Sequence, residues 1–183
     1  MRRLVILGAV VIAAIGALAA YKSCSDWDPA AQFAPPLRPA FGARVVDGEL
    51  ELWTGTPCHD VTEVAIVFDS GTAERVRRDL AAIEPGITLE TFRPAGDNAG
   101  MVVERELPDG FDWRQAETVT FLVEGSDGYW SAEAKIDEVV DGSDDHPEGT
   151  YLFQEVGWLD TTAVAEKNGE TFLTVCTTAP AEE

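Results

Sequence analysis

Histidine, cysteine and positive charge are all scarce in this sequence, and each scarcity removes a class of chemistry. Two histidines, His59 and His146, in 183 residues leave a His-based metal centre or a His-dependent triad almost no material. There is no G-x-S-x-G elbow, because Glu124 stands two residues before Ser126 and Phe68 two before Ser70. H-E-x-x-H, C-x-x-C, a phosphate-cradling glycine loop and a dinucleotide fingerprint are missing as well. These gaps predict a protein that is not an enzyme and carries no cofactor. The shortage of cations is equally informative: 13 basic residues stand against 33 acidic ones, a formal net charge of −20. Such a surface repels nucleic acid and anionic lipid headgroups, so nucleic-acid binding is not expected. It suits basic partners, divalent cations or plain solubility.

There is a single long apolar run. Arg2 and Arg3 precede an uncharged stretch from Leu4 to Ala20 (LVILGAVVIAAIGALAA), which reads as a membrane anchor or a secretory signal over residues 1–21. Ala17-Leu18-Ala19 offers a small-x-small cleavage pattern, whereas continuity up to Tyr21-Lys22, an interface pair, argues for an uncleaved anchor. In either case Arg2 and Arg3 stay in the cytoplasm and the rest is exported. The expected location is the cell membrane, single-pass with an extracytoplasmic domain, or alternatively secretion. Cys24 follows this run. The residues before it, Tyr21-Lys22-Ser23, depart from the small-residue box that lipoprotein processing needs, so Cys24 is expected to be an unmodified thiol, or one free for an intermolecular bridge.

Residues 22–43 contain Pro29, Pro35, Pro36 and Pro39 without apolar periodicity and read as an extended extracytoplasmic linker. Trp27 and Phe33 are unusual for a spacer and are candidate partner contacts. From 44 to 178 the chain shows short runs of period-two alternation, such as RVVDGELELW, VTEVAIVFD, ITLETF, GMVVEREL and ETVTFLVEG, bounded by Gly, Asp, Asn or Pro. GYWSAEAKIDEVV, GTYLFQEVGWL and ETFLTVCTT complete eight candidate strands. They predict an antiparallel β-sandwich, immunoglobulin-like or similar, with Asp47-Gly48 as a hairpin turn or bulge. Residues 179–183 are expected to be a disordered tail.

One segment breaks the rhythm. Val76, Leu80 and Ile83 recur at helical spacing, which predicts a short helix over 73–83 stopped by Pro85-Gly86. It would carry Arg75, Arg77 and Arg78, a basic cluster that serves either as a partner-binding patch or as a solvated face.

Cys58 and Cys176 are the cysteines inside the folded part, and export to an oxidising compartment predicts their bridge. The loop closed would stabilise the domain by roughly 4 to 5 kcal/mol in the chain-entropy model. Cys58-His59-Asp60 looks superficially like a nucleophile with its base, but neighbouring side chains on a strand point to opposite faces. The acidic run IDEVVDGSDDHPEG offers Asp137, Asp141, Asp144 and Asp145 as weak metal ligands; its spacing does not match a calcium hand, and a solvated loop is the competing reading. Trp53, Trp113, Trp130, Tyr151 and Trp158 serve either the core or a sugar-binding face.

The anchor, linker and acidic domain are similar in layout to envelope proteins of GC-rich Gram-positive bacteria, a likeness that transfers no site. The expectation is a membrane-tethered extracytoplasmic binding module, an accessory or interaction subunit of a cell-envelope complex with a protein partner there. The alternatives are a cell-wall glycan or Ca²⁺ binding domain and a carboxylate-dependent hydrolase.

Overall fold

The computed structural model describes residues 37–72, 74–84 and 86–178. Cys24, Trp27, Phe33, the apolar run and the 179–183 tail lie outside the described residues. Within them the protein is mainly β, with an antiparallel sheet and two short α-helices. The elements run β1 Pro39–Ala40, β2 Gly42–Val46, β3 Glu49–Asp69, β4 Arg75–Ala82, β5 Ile87–Phe92, β6 Met101–Arg105, a 3-10 turn Trp113–Gln115, β7 Thr118–Gly125, β8 Gly128–Lys135, α1 Ile136–Ser143, β9 Tyr151–Phe153, β10 Gly157–Leu159, α2 Thr161–Lys167 and β11 Leu173–Thr174.

The architecture follows from β3, a strand of 21 residues that changes partners halfway. Its first half pairs with β2 and β5, its second with β4 and β7. Register shifts lie between Trp53 and Cys58, between Cys58 and Val61 and between Val61 and Glu63. Two residues there have positive φ, Gly55 at 83° and Asp60 at 53°. Such bulges bend a strand and let it leave one set of neighbours for another. Gly55 is required at its position, because a Cβ there would stand 2.5 Å from Thr174 Cγ2. Two half-sheets therefore share β3: β10-β9-β2-β3-β5 and β8-β7-β3-β4-β6.

The main core draws on both halves, with Phe41, Leu50 and Leu52 from the first meeting Ile66, Phe68, Val119 and Phe121 from the second. A smaller cluster covers the other face of the first half-sheet. There Trp53 and Phe153 pack against Leu159, Val164 of α2 and Phe172, all in the C-terminal segment or leading into it. The first half-sheet is thus apolar on both faces, whereas the second buries one face only.

Two boundaries differ from the sequence reading. Strands β1 and β2 begin inside the 22–43 segment read as linker, and Phe41 is fully buried, so the chain divides between Pro36 and Leu37 instead. Pro39 fits because β1 pairs only with β11, in parallel, through the Arg38 and Ala40 carbonyls, which accept from Leu173 and Val175; no Pro39 N–H is needed. The helix expected over 73–83 is strand β4. Val76, Arg78 and Leu80 alternate inward, but an arginine at the middle position hides the period of two and leaves the apolar residues at helical spacing. The helices lie elsewhere: α1 takes the end of GYWSAEAKIDEVV and the acidic stretch after it, and α2 lies between β10 and β11. The Asp47-Gly48 turn is as expected, with φ of 52° and 81° joining β2 to β3.

Arg44 holds the end of α1. Its guanidinium is buried and donates to the carbonyls of Ser143 at 2.7 Å, Pro147 and Thr150 at 2.8 Å and His146 at 3.0 Å. No basic residue lies in the last turn of α1, so a cation from β2 meets the negative end of the helix dipole. The guanidinium also lies 5.7 Å from the centre of the Trp158 ring, on which His146 stacks at 4.5 Å.

Two outcomes follow for stability. Replacing both Cys58 and Cys176 by serine frees a 118-residue loop, and the urea midpoint should report a loss of roughly 5 kcal/mol. Arg44→Lys keeps the charge but cannot span four carbonyls, and the same measurement should give a loss of about 2–3 kcal/mol.

Candidate functional site

The residues singled out in the sequence do not form one site. Arg75, Arg77 and Arg78 are divided by the strand they occupy. Arg75 and Arg77 point outward and pair with Asp69 at 2.7 Å and Asp79 at 2.5 Å. Arg78 is buried and donates to the carbonyls of Pro94 at 2.6 Å and Gly96 at 3.0 Å, so it positions the loop after β5 and offers nothing to a partner. Asp137 and Asp141 lie on α1 and Asp144 and Asp145 in the turn after it, which replaces the loop expected there. Among the described residues no three His, Cys, Asp or Glu side chains group as metal ligands. Cys58 and Cys176 are joined in a disulfide, with Cα atoms 5.3 Å apart, which ties the segment after β11 to the bend of β3. Trp53 and Trp113 are buried, and Trp130, Tyr151 and Trp158 are half-buried against the cores.

What the structure does bring together is the outer face of the second half-sheet. Strand register lays its side chains in rows. One row reads Tyr129, Glu124, Glu63, Ala81, Val102 across β8, β7, β3, β4 and β6; the next reads Ser131, Leu122, Ala65, Asp79 across the first four of these strands. Ala65, Val67 and Leu122 fall outside both clusters, since their neighbours Val64, Ile66, Phe68, Phe121 and Val123 point the other way; Ala65 is buried beneath its neighbours, and Val67 and Leu122 are half-buried. Tyr129 is 61% exposed and Val102 51%, two of the three large apolar side chains so exposed among the described residues. A hollow of about 210 Å³ opens here, with Ala65 and Leu122 among its apolar lining and Glu63, Glu104, Glu124, Arg77 and Tyr129 also around it. Asp79, also in its lining, already holds Arg77 and Arg105, the latter at 3.2 Å.

A second, shallower groove of about 430 Å³ runs along β5 and the loop after it, lined by Glu51, Thr88, Glu90, Arg93, Asp97 and Asn98 among others. Glu51 is held from two sides at its edge, accepting from the Tyr151 hydroxyl at 2.7 Å and from Arg93 at 2.9 Å. Burial, the hydrogen bond to Glu51 and the charge of that carboxylate raise the Tyr151 phenol above its ordinary value. Along this groove Glu51 and Arg93 are paired, whereas Glu90 and Asp97, like Glu63, Glu104 and Glu124 of the open face, form no ion pair among the described residues.

Glu63, Glu124, Leu122 and Tyr129 belong to no motif of the sequence. A signal was present: the outward positions of VTEVAIVFD and ETVTFLVEG include Ala65, Val67 and Leu122, where a solvated face should be polar. No family model, curated protein or solved structure matches this chain.

The raised Tyr151 phenol sets an alkaline limit. The unfolded tyrosine ionises near pH 10 while the folded one keeps its proton, so this group's contribution is fully present below pH 10 and is lost as the pH rises beyond it. Tyr151→Phe should therefore flatten the fall of the urea midpoint above pH 10 relative to wild type.

Proposed function

We propose that this protein is a membrane-tethered extracytoplasmic binding module, an accessory or interaction subunit of a bacterial cell-envelope complex. The single observation that carries this reading is the outer face of the β8-β7-β3-β4-β6 half-sheet, where exposed Tyr129 and Val102 frame half-buried Val67 and Leu122, apolar residues outside both core clusters. The corresponding face of the other half-sheet is closed by the C-terminal segment, so the asymmetry is not a general property of this sheet. Contiguous exposed apolar surface rimmed by polar groups marks an interaction site in soluble domains. The Arg2-Arg3 and Leu4–Ala20 pattern supports export and tethering, and the Cys58–Cys176 bridge suits an oxidising compartment. We read the two half-sheets around one shared core as the layers of an antiparallel β-sandwich.

The test places a photo-crosslinking residue at Tyr129 or Val102 in the tagged full-length protein in its native membranes. A single stoichiometric protein adduct from these two positions, with none from exposed Glu166 on α2, is the expected result. No adduct from the face, or the same adducts from all three positions, would overturn the reading.

A further inference from the structure

We infer that the open face takes a lysine or arginine side chain from a basic segment of the protein partner, with the cationic head between Glu63 and Glu124. This deepens the reading of the face as the binding surface and rests on it. Glu63 and Glu124 are directly opposite on adjacent strands and line the same hollow. Like charges so placed are destabilising in a sheet. Nothing within the described fold relieves them: neither carboxylate forms an ion pair or a side-chain hydrogen bond there, and the nearby cations Arg77 and Arg105 are both engaged by Asp79. A cation between the two acids would turn that repulsion into attraction.

The surroundings fit a long side chain better than a bare ion. A dehydrated divalent cation requires several converging oxygens, and among the described residues no three His, Cys, Asp or Glu side chains group to supply them. A lysine or arginine instead has an aliphatic stem that seeks apolar surface and a head that stays polar. Half-buried Leu122 lies one row along from the acid pair and supplies that surface, while Tyr129 stands next to Glu124 in the register and lines the hollow, where its ring can meet the cation. Glu104 on β6 adds a third carboxylate at the other side. The acidic character of the whole chain attracts basic segments over longer range, and this row gives them a place to register.

The experiment uses full-length protein in phosphatidylcholine nanodiscs and a fluorescent octapeptide bearing two lysines, compared with the same peptide acetylated at both. Two double variants remove equal charge at different places: Glu63→Gln with Glu124→Gln on the face, and Asp144→Asn with Asp145→Asn in the turn after α1. The expected result is that the lysine peptide binds wild type in preference to its acetylated form, and that the face variant loses about tenfold in affinity together with that preference. The turn variant should lose less than about twofold, since only long-range attraction changes there. The face variant should also have a higher thermal midpoint than wild type without peptide, because an unfavourable pair has been removed. Equal weakening by both double variants, absence of preference for free lysine, or a lowered midpoint for the face variant would each overturn the inference. If crosslinks from Tyr129 persist while the face variant binds the peptide as wild type does, the face remains the binding surface and the cationic occupant is wrong.

Discussion

The disulfide between Cys58 and Cys176 closes the molecule at the point where β3 bends. A single strand cannot serve two half-sheets without a break in its pairing, and Gly55 and Asp60 provide that break with positive φ. Cys58 lies between them. Its bridge holds the segment after β11 against the bend, next to the buried Thr174, whose hydroxyl bonds those of Thr56 and Thr177 at 2.7 Å. Val164 of α2 and Phe172, just before β11, cover the outer face of the first half-sheet. The same fold leaves the outer face of the second half-sheet uncovered, so the location of the candidate site follows from which half of β3 the C-terminal segment is bound to.

Much of this fold was legible because strand alternation is a local signal. RVVDGELELW gave its hairpin through Asp47-Gly48, where both residues must reach positive φ, and ITLETF became β5 without change. The helix over 73–83 failed because the inward arginine looks polar in sequence; the carbonyls of Pro94 and Gly96 and the carboxylate of Glu106 at 3.5 Å, all from later in the chain, make its burial tolerable. Arg44 misleads in the same way, since its four acceptors lie about a hundred residues away. α1 was hidden by its short length and by an acidic surface that resembled a loop, though Ile136 and Val139 are buried on one side of it.

The site was less legible than the fold, and for a definite reason. Glu63 and Glu124 are 61 positions apart, and nothing in the sequence says that they face each other; that is a fact of register between β3 and β7. Reading Arg75, Arg77 and Arg78 as one patch depended on the helix, and once the segment is a strand the trio divides: Arg75 and Arg77 meet acids on the surface and Arg78 turns into the core. The usable clue lay in apolar residues at outward positions of otherwise regular strands. It identifies a face without naming its occupant.

The central claim is that the outer face of the β8-β7-β3-β4-β6 half-sheet is covered by a partner in the membrane and bare in the purified protein. Hydroxyl-radical footprinting of the full-length protein in native membranes and after purification tests this directly. The account predicts strong modification of Tyr129 and Val102 in the purified protein and protection of both in membranes, with Ile83, 66% exposed and outside both rows, unchanged. Equal modification of Tyr129 and Val102 in the two preparations would contradict it.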